Sequence, residues 1–406
     1  MMRLTSCGVI VEYNPFHNGH IYHLKEARKK SEADVLVAVM SGNFLQRGEP
    51  AIIDKWQRAE TALHNGADLV IELPFAYAVQ SADYFAKGGI KLLHSLNVES
   101  LCFGTDLTQS MDYELFGQTY VEKEKLINQR YQEIKNNGES YPQQMTQIYR
   151  ELLQQVPLDF SSPNHILGMA YAKENARYAN PMSLIPITRQ GSGYHDETIK
   201  SQEFSSATAI RQRVLEKDMT SISHTVPSET RDFLENTDLH SWGDYWPLLK
   251  YHLLNHSFDE LSDTYQLSEG IEYRLKESVK KAASFSGFMS LVKTKRYTWT
   301  RLQRLATYLL LNVREKEIHD VWQNSYLRVL GFTENGRQFL NQEKNHATLP
   351  IVTKIDQKNE KQLSLDIRAG QIYQLAQQHH HIEQDYYRSP IYLKGETSYE
   401  SCTSYP

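Results

Sequence analysis

One segment, Gly8-Val-Ile-Val-Glu-Tyr-Asn-Pro-Phe-His17-Asn-Gly-His20, constrains the fold more than any other. An apolar, β-rich run feeds through a proline-ended loop into His-x-Gly-His, and a helical pattern follows at once. A strand over Gly8–Glu12 must end at Asn14-Pro15, because proline disfavours helical geometry in the residue before it. Gly19 lets the backbone approach a ligand closely. The helix that continues through Ile21 to Arg28 puts His17 and His20 near its N-terminus, where free N–H groups and the macrodipole favour anions. Two histidines three apart also suit a surface helix or half of a metal site, but the preceding strand, the intervening glycine and the following helix favour phosphate. Donors prepositioned there stabilise the charge that builds on an α-phosphate during nucleotidyl transfer.

Four more apolar runs follow at intervals: Val35–Met40, Leu69–Leu73, Ser100–Phe103 and Leu184–Thr188. Each reads as a buried parallel strand, and helical patterns separate them. The fold class is therefore α/β, a doubly wound, Rossmann-like parallel sheet that binds its ligand beyond the strand C-termini. Glu12-Tyr13-Asn14, Met40-Ser41-Gly42-Asn43, Glu72-Leu73-Pro74, Phe103-Gly104-Thr105-Asp106 and Thr188-Arg189-Gln190-Gly191 should gather on that rim. Residues from about 109 to 155 read as an inserted helical cap. Beyond Arg213 the strand signals fade, and Leu248–Leu254, Ile271–Ala283, Trp299–Val313 and Ile367–Gln378 read as helices. The expected division is a nucleotide-binding domain over 1–215 and a mainly helical domain over 216–406.

The chain has 406 residues, 40% hydrophobic and 23% charged, with a formal net charge of -5. That balance excludes a globally basic nucleic-acid protein but allows a local basic face. Cys7, Cys102 and Cys402 form no C-x-x-C pair, which suits a reducing compartment. No apolar run is long enough to span a bilayer and no cleaved leader is read, so the cytoplasm is expected. No metal site is assigned, since His379-His380-His381 has no accompanying ligand pattern.

A second signal is Ser205-Ser206-Ala207-Thr208-Ala209-Ile210-Arg211: hydroxyls at the mouth of a helix, with arginine one turn on. By itself this is an N-cap and a surface arginine. Coupled to His-x-Gly-His, it resembles the phosphate-gripping motif of the nucleotidylyltransferase superfamily, in which a helix N-terminus and arginine hold pyrophosphate charge. The lysine-rich counterpart found in class I aminoacyl-tRNA synthetases, Lys-Met-Ser-Lys-Ser, is not present in the sequence.

The motifs Val11–His20, Met40–Pro50, Asp68–Pro74, Phe103-Gly104, Ser162–Gly168 and Gly193-Tyr-His-Asp196 together resemble the bacterial tRNA(Met) cytidine acetate ligase family, and Lys293–Arg304 extends the likeness more weakly. Membership would imply activation of acetate by ATP to acetyl-adenylate and pyrophosphate, then acetylation of N4 of the wobble cytidine in elongator tRNA(Met). The resemblance places the ATP loop on Ile10, Val11, Glu12, Tyr13 and Asn14, on Pro15, Phe16, His17, Asn18 and Gly19, and on His20, Ile21, Tyr22 and His23. Further ATP contacts fall on Gly104, Asn164 and Arg189, with Ser205, Ser206 and Arg211 at the phosphates. His17 and His20 would be catalytic. Gln46, Arg47, Asp54 and Lys55 are secondary candidates for the same pocket. Lys293, Lys295, Arg296, Arg301 and Arg304, interleaved with Tyr297 and Trp299, suit tRNA: cations meet phosphates and rings stack on unpaired bases. Magnesium is expected with the triphosphate, with no protein ligand assigned. Two other functions fit the same residues less fully: an adenylyltransferase acting on a phosphorylated small molecule, and a nucleotide-switched tRNA- or ribosome-binding factor.

Overall fold

In the computed structural model the described residues are 3–106, 111–135, 137–139, 141–153, 162–188, 205–267, 270–294, 297–376 and 383–394. Five strands, β1 (Ser6–Val11), β2 (Val35–Ser41), β3 (Leu69–Leu73), β4 (Ser100–Thr105) and β5 (Ser183–Thr188), match the five apolar runs. They pair in parallel in the order β5-β4-β1-β2-β3. The order reverses at β1, so the crevice between β1 and β4 is the topological switch point at which doubly wound sheets bind ligands.

Both faces are covered. Val9, Val11, Leu36 and Val70 pack with Leu24 and Ala27 of α1 (Asn18–Ser31) and Trp56 and Ala59 of α2 (Lys55–His64). After the short α3 (Phe75–Ala78) comes α4 (Ala82–Ser95), whose Phe85, Ala86, Ile90 and Leu93 cover the other face beside Val37, Val39 and Ile71. The stretch read as a cap forms α5 (Tyr113–Ile134) and α6 (Tyr141–Leu152); α7 (Pro163–Asn175) and α8 (Ala207–Leu215) complete the first half.

The second half is mainly helical, as read, yet it is not confined to helices. Residues Leu327–Thr333 form β6, antiparallel to β3, while β7 (Ile351–Val352) and β8 (Ile391–Leu393) pair with β6. The expected boundary at 215 therefore does not separate the sheet from the second half. Cores are shared too: Phe44, Phe75 and Val79 of the first half sit in one cluster with Tyr245, Leu305, Tyr308 and Tyr373 of the second. No helix among the described residues is long and apolar enough to cross a membrane.

Candidate active site

Beyond the C-terminal ends of β1, β4 and β5 lies a cavity of about 410 Å³. Of the loop read from the sequence, Ile10, Val11, Glu12, Tyr13, Asn14, His17, Gly19, His20, Tyr22 and His23 line it, as do Gly104, Asn164, Ser205, Ser206 and Arg211. Gln46 and Arg47 also reach it. Phe16 is instead buried in the α1 core with Ile21 packed beside it, and Asn18 ties the loop to the second half through Nδ2 to the His224 carbonyl, 2.9 Å. Arg189, like Gly193–Asp196, lies outside the described residues.

The chain turns sharply off β1: Tyr13 sits in the left-handed region at φ 53°, and His17 at φ -144° is the N-cap of α1. Capping uses both histidines. His17 Nδ1 accepts the Gly19 N–H at 3.0 Å, and His20 Nδ1 accepts the His17 N–H at 3.2 Å. A backbone N–H can only donate, so each Nδ1 presents its lone pair and each ring carries its proton on Nε2. The rings stack at 3.8 Å and 27°. Gly19 is required for this, since a Cβ there would stand 2.8 Å from His17 Cε1. The first turn of α1 holds no acidic residue and its last turn holds Arg28, Lys29 and Lys30, so the charge distribution leaves the N-terminus open to an anion.

Across the cavity Ser206 caps α8 by accepting the Ala209 N–H at 3.1 Å, so the plain N-cap reading of this serine is correct as local structure. Ser205 Oγ, Asn14 Nδ2 and the Tyr13 hydroxyl, on residues that line the cavity, are buried without hydrogen-bond partners. Groups of this kind are costly to leave unpaired. Arg211 donates to the Asn14 carbonyl at 2.7 Å and lies 3.6 Å from Glu49, which fixes its guanidinium at the cavity rim. On the β4 side, Asn164 Nδ2 donates to Asp106 at 2.8 Å.

Three sequence readings are corrected. Asp54 and Lys55 stand outside the cavity: Asp54 caps α2, accepting from the Trp56 and Gln57 N–H groups, and Lys55 is buried against Glu72 at 2.8 Å and Asp385 at 2.7 Å. Glu72, at the end of β3, is taken up in that ion cluster, and neither it nor Leu73 nor Pro74 lines the cavity. Met40–Asn43 likewise serve structure, with Asn43 bonded to Gln384 and to the Lys55 N–H. Sequence reasoning also missed Glu49, Ala82, Phe85, Ile166, Leu167 and Tyr171, which line the cavity. Helical periodicity marks the apolar ones among them only as core, and Glu49 sits in a loop with no periodic signal.

The described part of the basic run is not all exposed. Lys293 is exposed, Arg301 stacks over the Tyr297 ring at 4.9 Å, and Arg304 is turned inward with its Nε unpartnered, while Lys295 and Arg296 lie outside the described residues. Tyr297 is buried, which leaves Trp299 as the exposed ring.

Among the described residues no group of three His, Cys, Asp or Glu side chains could hold a metal ion. The model of the HIGH Nucleotidyl Transferase family matches residues 4–388. A tRNA(Met) cytidine acetate ligase of Latilactobacillus sakei is 40% identical over 399 residues, 97% of this chain and 99% of that protein. The ligase of the same name from Levilactobacillus brevis is 42% identical over 392 residues, 96% and 98% of the two chains. The apo crystal structure of Thermotoga maritima TmcAL superposes with a TM-score of 0.88 at 30% identity, covering 97% of this chain and all of the other. The same protein bound with alpha-thio ATP superposes at 0.85. Matches of this length and identity mean that the chain belongs to the HIGH nucleotidyl transferases and, within them, to the family of the tRNA(Met) cytidine acetate ligases.

Proposed function

We propose that this chain joins acetate to a tRNA cytidine at the expense of ATP. Acetate oxygen attacks the α-phosphorus and pyrophosphate leaves; N4 of the wobble cytidine of elongator tRNA(Met) then attacks the acetyl carbonyl of the acetyl-adenylate, forming the amide and releasing AMP and the amine proton. The observation that carries the reading is the pair of stacked imidazoles at the head of α1, each with its proton on Nε2, facing a cavity whose other wall holds Ser205, Ser206 and Arg211. His17 and His20 donate to oxygens on which charge builds, and the far wall holds the departing pyrophosphate. Gly104 and Asn164 border the side left for the nucleoside. Magnesium brought by the triphosphate would neutralise phosphate charge; among the described residues no group of three His, Cys, Asp or Glu side chains is placed to hold it.

The tRNA is held by the second half, 216–406, with Lys293, Lys295, Arg296 and Arg301 meeting phosphates and Trp299 open to a base. Arg304 supports this surface from within. The cytoplasm, where tRNA is modified, is the place of action. ATP–pyrophosphate exchange that depends on acetate, together with N4-acetylcytidine in methionine tRNA only when the gene is present, tests the reading. Exchange driven by a phosphorylated metabolite, or ATP binding without exchange, would refute it.

A further inference from the structure

The cavity has a wall that neither the phosphate clamp nor the nucleoside side accounts for. It is built from Glu12 at the end of β1, Ala82 and Phe85 in the first turn of α4, and Tyr171 on α7. In-line displacement at phosphorus places the attacking and leaving oxygens on opposite sides. With pyrophosphate against Ser205 and Arg211 and the nucleoside by Gly104, the attacking acid has to arrive from the remaining side. That side combines features a small acid needs. Ala82 and Phe85 offer apolar surface, and Phe85, 2% exposed, is fixed by the core around Ile90 and Leu93. Tyr171 is 4% exposed, and its hydroxyl makes no hydrogen bond with any described residue. One Glu12 oxygen accepts the Gln46 N–H at 2.7 Å, which fixes the carboxyl in place. Burial raises the Glu12 pKa, which weakens its repulsion of a second carboxyl group.

Resting on the function proposed above, we propose that Ala82, Phe85, Tyr171 and Glu12 form the subsite for a short aliphatic carboxylic acid. Phe85 sets the chain length by closing the space beyond the methyl group, and the Tyr171 hydroxyl orients the carboxyl. A rigid aromatic wall discriminates by overlap with each added methylene, which hydrophobic pockets read at about 10- to 200-fold per group.

The test is ATP–pyrophosphate exchange by the full chain with acetate, propionate and butyrate. Phe85→Leu is expected to raise the propionate-to-acetate ratio of kcat/KM by about tenfold or more, and Phe85→Ala to admit butyrate. Tyr171→Phe should raise the KM for acetate several-fold and leave the KM for ATP within about twofold, since a single hydrogen bond to the acid is removed. Ala82→Leu, at the first position of α4 where a larger side chain does not disturb the helix, should suppress exchange with all three acids while ATP still shifts the melting temperature. That shift also reports folding in the Phe85 variants. Unchanged acid ratios in folded variants would overturn the subsite while acetate-dependent exchange by the wild type upheld the function. A parallel rise in the ATP KM with constant ratios would put the nucleoside on this wall and also overturn it. Absence of acid-dependent exchange in the wild type would overturn both.

Discussion

His17 and His20 each serve twice, since the Nδ1 atoms that cap α1 thereby commit the Nε2 atoms to donating. A histidine that caps its own helix cannot swing away from the ligand without uncapping it, so these donors are preorganised. Replacing His20 by Ala is expected to lower turnover by about two to three orders of magnitude, the scale of one missing oxyanion donor, with a smaller loss of ATP affinity. Pyrophosphate release under saturating ATP measures it, and normal turnover would make His20 structural. These residues were legible because strand, turn and helix signals converge on one short segment, Gly8–His20. Tyr171 and Phe85 were not, because a residue that packs on one side and lines a cavity on the other has the same helical spacing as one that only packs.

At the scale of elements the five parallel strands were readable as continuous apolar runs, and β6 was not. Its sequence, Leu327-Arg-Val-Leu-Gly-Phe-Thr333, carries an arginine that is wholly buried, 5.7 Å over the Trp56 ring and bonded to the Asp385 carbonyl at 3.2 Å. A charge inside a strand breaks the apolar signal, and β7 with two residues has no period to detect. The docking of the first half on the second was equally hidden. Gly48, at φ +77°, offers its carbonyl to Trp242 Nε1 at 3.0 Å and Thr307 Oγ1 at 2.8 Å, so the loop that carries Gln46 and Arg47 is seated on the helix Trp299–Leu310. A Cβ there would stand 2.5 Å from the Arg304 backbone. Gly48→Ala should cost about 2–4 kcal/mol, combining left-handed strain with a clash that backbone cannot relieve. Gly270→Ala, at φ +88° with nothing within 4 Å of the added methyl, should cost only the strain, about 1–2 kcal/mol. Urea denaturation of the two variants compares them, and equal losses would deny the loop its docking role.

At the scale of the whole molecule the C-terminal segment is clasped to the sheet by buried charge. Burial works against the Lys55 ammonium, yet Asp385 and Glu72 raise its pKa above the usual value. Glu72 is pushed up to about 7 by burial, against the pull of Lys55. With its folded pKa above its unfolded one, Glu72 binds its proton more tightly in the folded chain. Its contribution to stability is therefore complete below the ordinary carboxyl range and lost as pH rises through about 7. Glu72→Gln cannot titrate, so its stability relative to the wild type should improve by about 2–3 kcal/mol between pH 4.5 and 8, read from urea midpoints. A pH-independent difference would mean that Glu72 is ionised throughout. The proposed tRNA surface depends on different physics. With a net charge of -5 the chain can attract tRNA only through a local patch. Replacing Lys293, Lys295, Arg296 and Arg301 together by Ala should weaken tRNA binding and flatten its dependence on salt, by up to about 0.7–0.9 in log–log slope for each phosphate no longer neutralised. Acetate-dependent pyrophosphate exchange should persist, because the proposed phosphate clamp draws on α1 and α8 and on none of these side chains. Tight binding with an unchanged salt slope would move the tRNA surface away from Lys293–Arg301.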